Sequence, residues 1–453
     1  MSLATRLPFG TLLTVTLGLL HGHSFATAQQ IPYPNFPFGV ANNNTGSATY
    51  WRSGDSPYGI YYPDAPFSFW SFRDTYLTPM DYAPGGRVNP SNGYTYKPNP
   101  TIPSFVGNTI AIVANSTNFT PAYFYGANST PSSPKAFFQT KSANTRYWPN
   151  KAFFVGTTLY VTLSVITGAA TNIGTDIARI SNPTVSPTQW NIEYITLIPT
   201  NQNNRPAVAL FGNEALTDYF RPGDDLAGNS AYNLFGFQGG SVLLYGYSGG
   251  KAVAIMVLNS ALASTANGQT IDNSQGFRLA NINGSVGWQQ GLIYNNGADY
   301  ANIDTTTPAT GGLSGFSGYS IRYNATLGRW QLLGIPGNGG IATPYSNNVS
   351  PSLWFGTTAI GPFYTSTPLN FKFPELDPTQ IWNTSIPPNF GSQAFSQTQC
   401  YGIREWQVYP NQENDSEVIF TYTTSSVASL GKEALVLVDL YFYNDYVGGA
   451  PHP

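Results

Sequence analysis

FFVGTTLYVTLSVI, residues 153–166, decides the fold. Two apolar runs rich in β-branched and aromatic residues flank the turn Gly156-Thr157. That arrangement predicts a β-hairpin. Comparable runs occur at 67–77 (FSFWSFRDTYL), 241–247 (SVLLYGY), 319–333 (YSIRYNATLGRWQLL) and 417–424 (EVIFTYTT). SVLLYGY likewise follows a glycine turn, Gly239-Gly240. Centres of the five runs lie roughly 80–95 residues apart, wider than ordinary propeller repeats. Helical periodicity is nearly absent, and 46 Gly and 35 Pro punctuate the chain throughout, which predicts an all-β protein. Five units of several strands predict a five-bladed β-propeller in a single domain, residues 29–453. A β-sandwich is the rival architecture, and the regular spacing favours the propeller.

Ahead of this region, Arg6 precedes an uncharged apolar stretch, residues 7–20, and then the small-residue sequence Ala26-Thr27-Ala28. This is the layout of a secretory signal, residues 1–28, cut after Ala28. The apolar stretch is too short for an ordinary membrane span, and no later segment has a long apolar run. The expectation is a soluble, extracellular monomer. Asn-X-Ser/Thr sequons at Asn43, Asn115, Asn118, Asn128, Asn283, Asn324, Asn348, Asn383 and Asn414 fit export and glycosylation.

Residue scarcity excludes several chemistries. Cys400 is the one cysteine, so no internal disulfide forms, and the chain must rely on a large core. A lone thiol without a base partner reads as a buried small hydrophobe. His21 and His23 fall in the signal and His452 in the C-terminal tail. Histidine-based triads and zinc sites are thereby excluded. A net charge of −3 with 9% charged residues leaves no basic footprint for nucleic acid. Aromatic residues make up 15%, which suits stacking on polar ligands such as sugars. No cofactor is implied. Asp224-Asp225 would offer oxygen ligands to calcium, but the spacing is not that of an EF-hand loop, and the pair reads as a solvated loop.

Carboxylates are the remaining acid–base groups. Asp55 lies in Arg52-Ser53-Gly54-Asp55-Ser56-Pro57 and Asp74 in Phe72-Arg73-Asp74-Thr75. Alternation along the strand would put Trp70, Phe72 and Asp74 on one face. A carboxylate there is expensive to bury unpaired, which points to function. A turn-capping aspartate is the simpler local reading of both.

Residues 55–75 resemble the opening of a family of secreted five-bladed propellers, formerly of unknown function, that includes endo-D-arabinanase-type glycoside hydrolases. The family's Trp/Phe-x-Phe-Gly-Asp-Thr motif is matched by Trp70-Ser71-Phe72-Arg73-Asp74-Thr75, with Arg73 in place of the glycine. Arg146-Tyr147-Trp148-Pro149-Asn150 resembles the second-blade segment. Ser320-Ile321-Arg322-Tyr323-Asn324 with Arg329-Trp330 resembles a later one. Thr358 to Phe363 resembles a glycosidase turn, and Cys400-Tyr401-Gly402 the closing blade. The resemblance spans most of the mature chain and is weakest over residues 193–278.

The resemblance implies that Asp55 and Asp74 are the catalytic pair of an arabinan-cleaving enzyme. One is the acid, and the other the base or nucleophile. The apolar Phe69, Trp70 and Phe72 favour Asp74 as the acid. Arg146, Trp148, Asn150, Arg322 and Tyr323 are candidate substrate-binding residues, with Glu214 and Glu405 as reserve acids. Arg146 and Arg322 read equally well as structural ion pairs, and Trp148 as core. A lectin-like propeller that binds carbohydrate without turnover, and a structural wall protein, are the competing functions.

Overall fold

The computed structural model describes residues 31–32, 39–42, 48–54, 56, 58–62, 67–79, 104–114, 121–127, 133–140, 142–168, 171–200, 209–217, 240–248, 251–293, 300–303, 318–324, 328–336, 350–369, 373, 398–405, 417–427 and 434–444. Strands dominate, with one short α-helix at Asn259–Ser264 among these residues. No helix among them is long and apolar enough to cross a membrane.

The hairpin at 153–166 is present, with Gly156 at φ +57° in its turn, but it is longer than its apolar core. Thr145–Val155 pairs with Thr158–Thr167, followed by Asn172–Ile180 and Ile192–Ile198 in an antiparallel meander. This is the first blade. The second has five strands: Leu210–Thr217, Ser241–Ser248, Lys251–Leu258, Gly276–Ile282 and Ser285–Gln290. The third runs Tyr319–Asn324, Arg329–Gly334, Ser352–Gly356 and Tyr364–Pro368. The closing blade joins the first and last of the described strands. Thr398–Glu405, Glu417–Val427 and Ala434–Asn444 are completed by Ile31–Pro32, whose Ile31 is in register with Phe442.

The protein is a β-propeller, but the expected count of five blades is corrected. Four sheets have the strand number and up-and-down order of a blade. The N-terminal strands instead form an eight-stranded mixed sheet, from Tyr58–Tyr61 at one edge to Ser104–Val106 at the other. A parallel contact of Gly39–Asn42 with Pro121–Phe124 joins its two halves. The 67–77 run was expected as one strand. It is two, Phe67–Phe72 and Thr75–Pro79, which pair with different neighbours.

Burial explains the arrangement. In SVLLYGY, Val242 and Leu244 pack against the first blade, with Phe153, Tyr160 and Ile177. Leu243 and Tyr245 point the other way, toward Ile321, Trp330 and Trp354 of the third blade. A strand covered on both faces has no solvent side to carry polar residues, so it reads as a continuous apolar run. Similar apolar layers separate the N-terminal sheet from the first blade and the third from the closing blade. Cys400 belongs to the last layer, fully buried beside Ile403, Phe420 and Tyr422, as a small hydrophobe should be.

The innermost strands meet in sequence. Tyr58–Tyr61 lies beside Thr145–Val155, which contacts Leu210–Thr217, then Tyr319–Asn324, then Thr398–Glu405. The Ser56 amide closes the circuit by donating to Thr423 Oγ1 at 2.9 Å.

Candidate active site

Three of the inner strands carry a β-bulge. The register slips between Pro149 and Ala152, between Phe211 and Glu214, and between Tyr401 and Arg404. A bulge inserts an extra residue and re-aims the side chains beside it. Asn150, Lys151, Glu214, Arg404 and Glu405 all lie in or next to these slips. Gly212, at φ +111°, makes the second bulge possible, because a Cβ there would both strain the backbone and collide with Thr162. Ser56 sits at φ +46°, unusual for a residue with a side chain, and fully buried against the closing blade.

Asp74 occupies the bend between Phe67–Phe72 and Thr75–Pro79. Strand alternation therefore ends before it. Trp70 and Phe72 are fully buried, whereas Asp74 has 24% of its side chain exposed. Its Oδ1 accepts from Trp148 Nε1 at 2.6 Å and lies 3.4 Å from Arg146 Nε. Both neighbours are donors. Two donors on one carboxylate oxygen favour its ionised form. Phe69, Trp70 and Phe72, the apolar neighbours on which the expectation of Asp74 as the acid rested, are fully buried.

Trp148 is half-buried, and its ring is engaged by two cations. Arg73 Cζ lies 5.5 Å and Arg146 Cζ 5.4 Å from the ring centroid. Asn150 is buried; its Nδ2 donates to Ser164 Oγ at 2.8 Å and its Oδ1 accepts from Arg73. It helps form the wall and holds Arg73.

Glu214 and Glu405 are sealed. Lys151 Nζ meets Glu214 Oε1 at 2.8 Å, and the carboxylate also accepts from the Ala215 and Ile321 amides. Arg322 Nε meets Glu405 Oε1 at 2.5 Å, with Gln331 Nε2 at 3.3 Å from both carboxylate oxygens. Each ion pair bridges two blades. Tyr323 alternates away from Arg322 and packs edge-on against Trp330.

The structure thus brings Asp74, Arg146, Trp148 and Asn150 together, and holds Glu214, Arg322 and Glu405 in buried pairs elsewhere on the inner wall. Asp55 lies outside the described residues, as do Asp224 and Asp225. Among the described residues no cluster of three potential metal ligands occurs. Of the sequons, two fall on described residues. Asn283 is exposed in a hairpin turn. Asn324 is buried and donates to Gln331 Oε1 at 3.1 Å.

Sequence reading missed Lys151 and Tyr58, gave Arg404 no site role, and noted Arg73 as a departure that alters the pocket floor or the depth of Asp74. Arg73 donates to Tyr58 Oη at 3.2 Å, and Arg404 donates to the same oxygen with its Cζ 4.5 Å from the Tyr58 ring. The available signal was glycine inside a strand, at Gly212 and Gly402, which marks bulges and hence re-aimed neighbours.

Comparison with known proteins rests on structure alone: no protein-family model and no curated protein matches this chain. A provisionally named hydrolase of Bacteroides ovatus superposes with a TM-score of 0.54 at 14% identity, over 92% of this chain and 97% of that one. An exo-β-1,3-galactanase of Phanerochaete chrysosporium gives 0.41 at 8% identity, over 93% and 66%. An α-L-arabinanase of Cellvibrio cellulosa gives 0.39 at 8% identity, over 85% and 90%. The first of these shares the fold; at such identities the likeness is one of chain path.

Proposed function

We propose that this chain is a secreted glycoside hydrolase that cleaves a furanose-containing, arabinan-like polysaccharide, with Asp74 as base or nucleophile and Asp55 as acid. The observation that carries this reading is Asp74 itself. It is a solvent-reachable carboxylate at the end of a buried strand, fixed by an indole N–H and a guanidinium from the next sheet. The acid gives its proton to the glycosidic oxygen as the C–O bond breaks. Asp74 either attacks the anomeric carbon or takes a proton from the water that does so. The aromatic and guanidinium surface around Trp148 suits sugar hydroxyls and ring faces.

The test is release of new reducing ends from a polysaccharide panel that includes linear arabinan. Wild-type protein should cleave at least one member, and Asp74→Asn and Asp55→Asn should abolish that cleavage. An inactive wild type would reject the hydrolase reading; an active Asp74→Asn would reject the assignment of Asp74.

A lectin-like propeller is the second reading. It is favoured by the closed ion pairs of Glu214 and Glu405, which remove two further carboxylates from chemistry. A saturable isotherm without new reducing ends would decide for it.

A further inference from the structure

We propose that Asn283 carries an N-linked glycan, and that this glycan guards the one blade edge that the described polypeptide leaves bare. The proposal rests on the export that the function above includes, and on nothing in its catalytic part.

An edge strand offers unpaired amides and carbonyls to any other strand, and proteins blunt it with charge, proline, a bulge or a covering segment. Three of the four blades do so among the described residues. Ile192–Ile198, outermost in the first, is covered. Thr196 bridges Thr270 in parallel; its amide donates to Gln269 O at 2.9 Å, and the Ile271 amide donates to Thr196 O at 2.9 Å. Tyr364–Pro368, outermost in the third blade, ends in proline, as does Ile31–Pro32 of the closing blade. Ser285–Gln290, the outermost strand of the second blade, has none of these devices. Its sequence, SVGWQQ, holds no charge and no proline. It pairs with Gly276–Ile282 without a register slip, and Ser285, Val286, Gln289 and Gln290 are exposed.

Apolar side chains add to the hazard. Val286 is 59% and Ile282 41% exposed, two of the four large hydrophobic side chains that stand exposed among the described residues. They flank the two-residue turn Asn283-Gly284, at φ +53° and +86°, the left-handed pair that a tight hairpin favours. Asn283-Gly284-Ser285 is also a sequon. Residues 281–286 are all exposed, and a Cβ added at Gly284 or Gly287 would meet nothing within 4 Å. The Asn283 amide makes no hydrogen bond among the described residues, whereas that of Asn324 is engaged by Gln331. The acceptor is therefore open to solvent and sits just ahead of the bare strand.

In the transfer, the Asn283 amide nitrogen bonds to C1 of an oligosaccharide carried on a lipid pyrophosphate. The C1–O bond breaks, the lipid pyrophosphate leaves with the electron pair, and one amide proton passes to the transferase's base. The bulky, hydrated chain then keeps a second strand off the edge and covers its apolar flanks.

The test expresses the full chain with its own leader in a eukaryotic host. Peptide N-glycosidase in heavy-oxygen water, followed by peptide mass spectrometry, reads occupancy at Asn283, which should be modified in most molecules. Ser285→Ala removes the sequon and keeps the turn; Ser285→Thr keeps both. Ser285→Ala should raise the weight-average mass in sedimentation about twofold or more over wild type, with little change in melting temperature. Ser285→Thr should match wild type. Adding Val286→Lys to Ser285→Ala should restore the wild-type state of association, since a charge on the edge replaces the glycan. An unmodified Asn283 in secreted protein, a Ser285→Ala variant that does not associate, or association that Val286→Lys leaves in place each overturns the proposal. Retention inside the cell would reject export and this inference together. Cleavage of polysaccharide, or its absence, bears on the hydrolase reading alone.

Discussion

One inner strand, Thr145–Val155, carries two cations, Arg146 at its start and Lys151 past its middle, and the two meet opposite circumstances. Arg146 lies against Asp74, and both side chains are 24% exposed. Lys151 meets Glu214 with 9% and 1% exposed. Both contacts tie the first blade to a neighbouring sheet. The sealed pair gains strength from low dielectric but loses its hydration, so it works as a staple that is costly to break from one side. The open pair keeps water and contributes little to stability, and its carboxylate stays within reach of solvent. Burial, more than residue type, separates the two pairs.

The largest expected effect tests the open pair. Asp74→Asn should lower turnover by about 10²–10⁴-fold, the range for loss of a positioned acid or base, while the melting temperature barely moves. If the variant melts early and the surviving fraction is fully active, the contrast between the two pairs fails.

At the sealed pair, Lys151→Met should lower unfolding free energy by about 3–5 kcal/mol in urea titration, because Glu214 is left buried without its cation. Adding Glu214→Leu should recover most of that loss. A double variant as unstable as the single would mean that the pair does more than join blades.

Tyrosine titration extends the contrast to groups without a cation partner. Tyr194, stacked 5.6 Å from Tyr147, has its pKa pushed up by burial to about 12, and burial raises that of Tyr147 further. A raised phenol pKa favours the folded state fully below the unfolded value near 10, and that advantage is lost as pH climbs toward the folded value. Absorbance near 295 nm should therefore show these phenols ionising late, together with unfolding. Early, independent ionisation would show the layer to be wet.

The smallest effect is expected at Asp272, an exposed carboxylate that caps a short 3₁₀ turn. It accepts from the Ser274 amide and hydroxyl, both at 2.9 Å, and these bonds lower its pKa. Its contribution is present above the unfolded pKa and fades as pH falls through the lowered folded one. Asp272→Ala should bring a slight loss at neutral pH that disappears in acid. A loss independent of pH would assign the effect to packing.

Much of the fold was legible because strands buried on both faces leave a composition signal that survives without partners. The runs at 153–166, 241–247 and 319–333 all fall on strands or hairpins. The run at 67–77 misled, since a bend at Arg73-Asp74 sends its two halves to different neighbours. The blade count misled for a related reason: even spacing of apolar runs says nothing of how the N-terminal strands are shared between sheets. In the site, Asp74, Arg146, Trp148 and Asn150 were singled out by motif. Arg73 was noticed as a departure from the motif that would alter the pocket floor or the depth of Asp74, without its partners.

The sequence by itself determined an all-β chain with buried layers, a cysteine suited to the core, and an acid–base inventory with 22 carboxylates and three histidines. Those properties are additive over residues, so composition and spacing carry them. The tertiary structure alone decided which carboxylates are sealed and which is open, since Lys151 and Glu214, or Arg322 and Glu405, become partners through bulges and register across separate blades. Charge pairing and dielectric depend on distances between strands remote in the chain, and no local pattern encodes them.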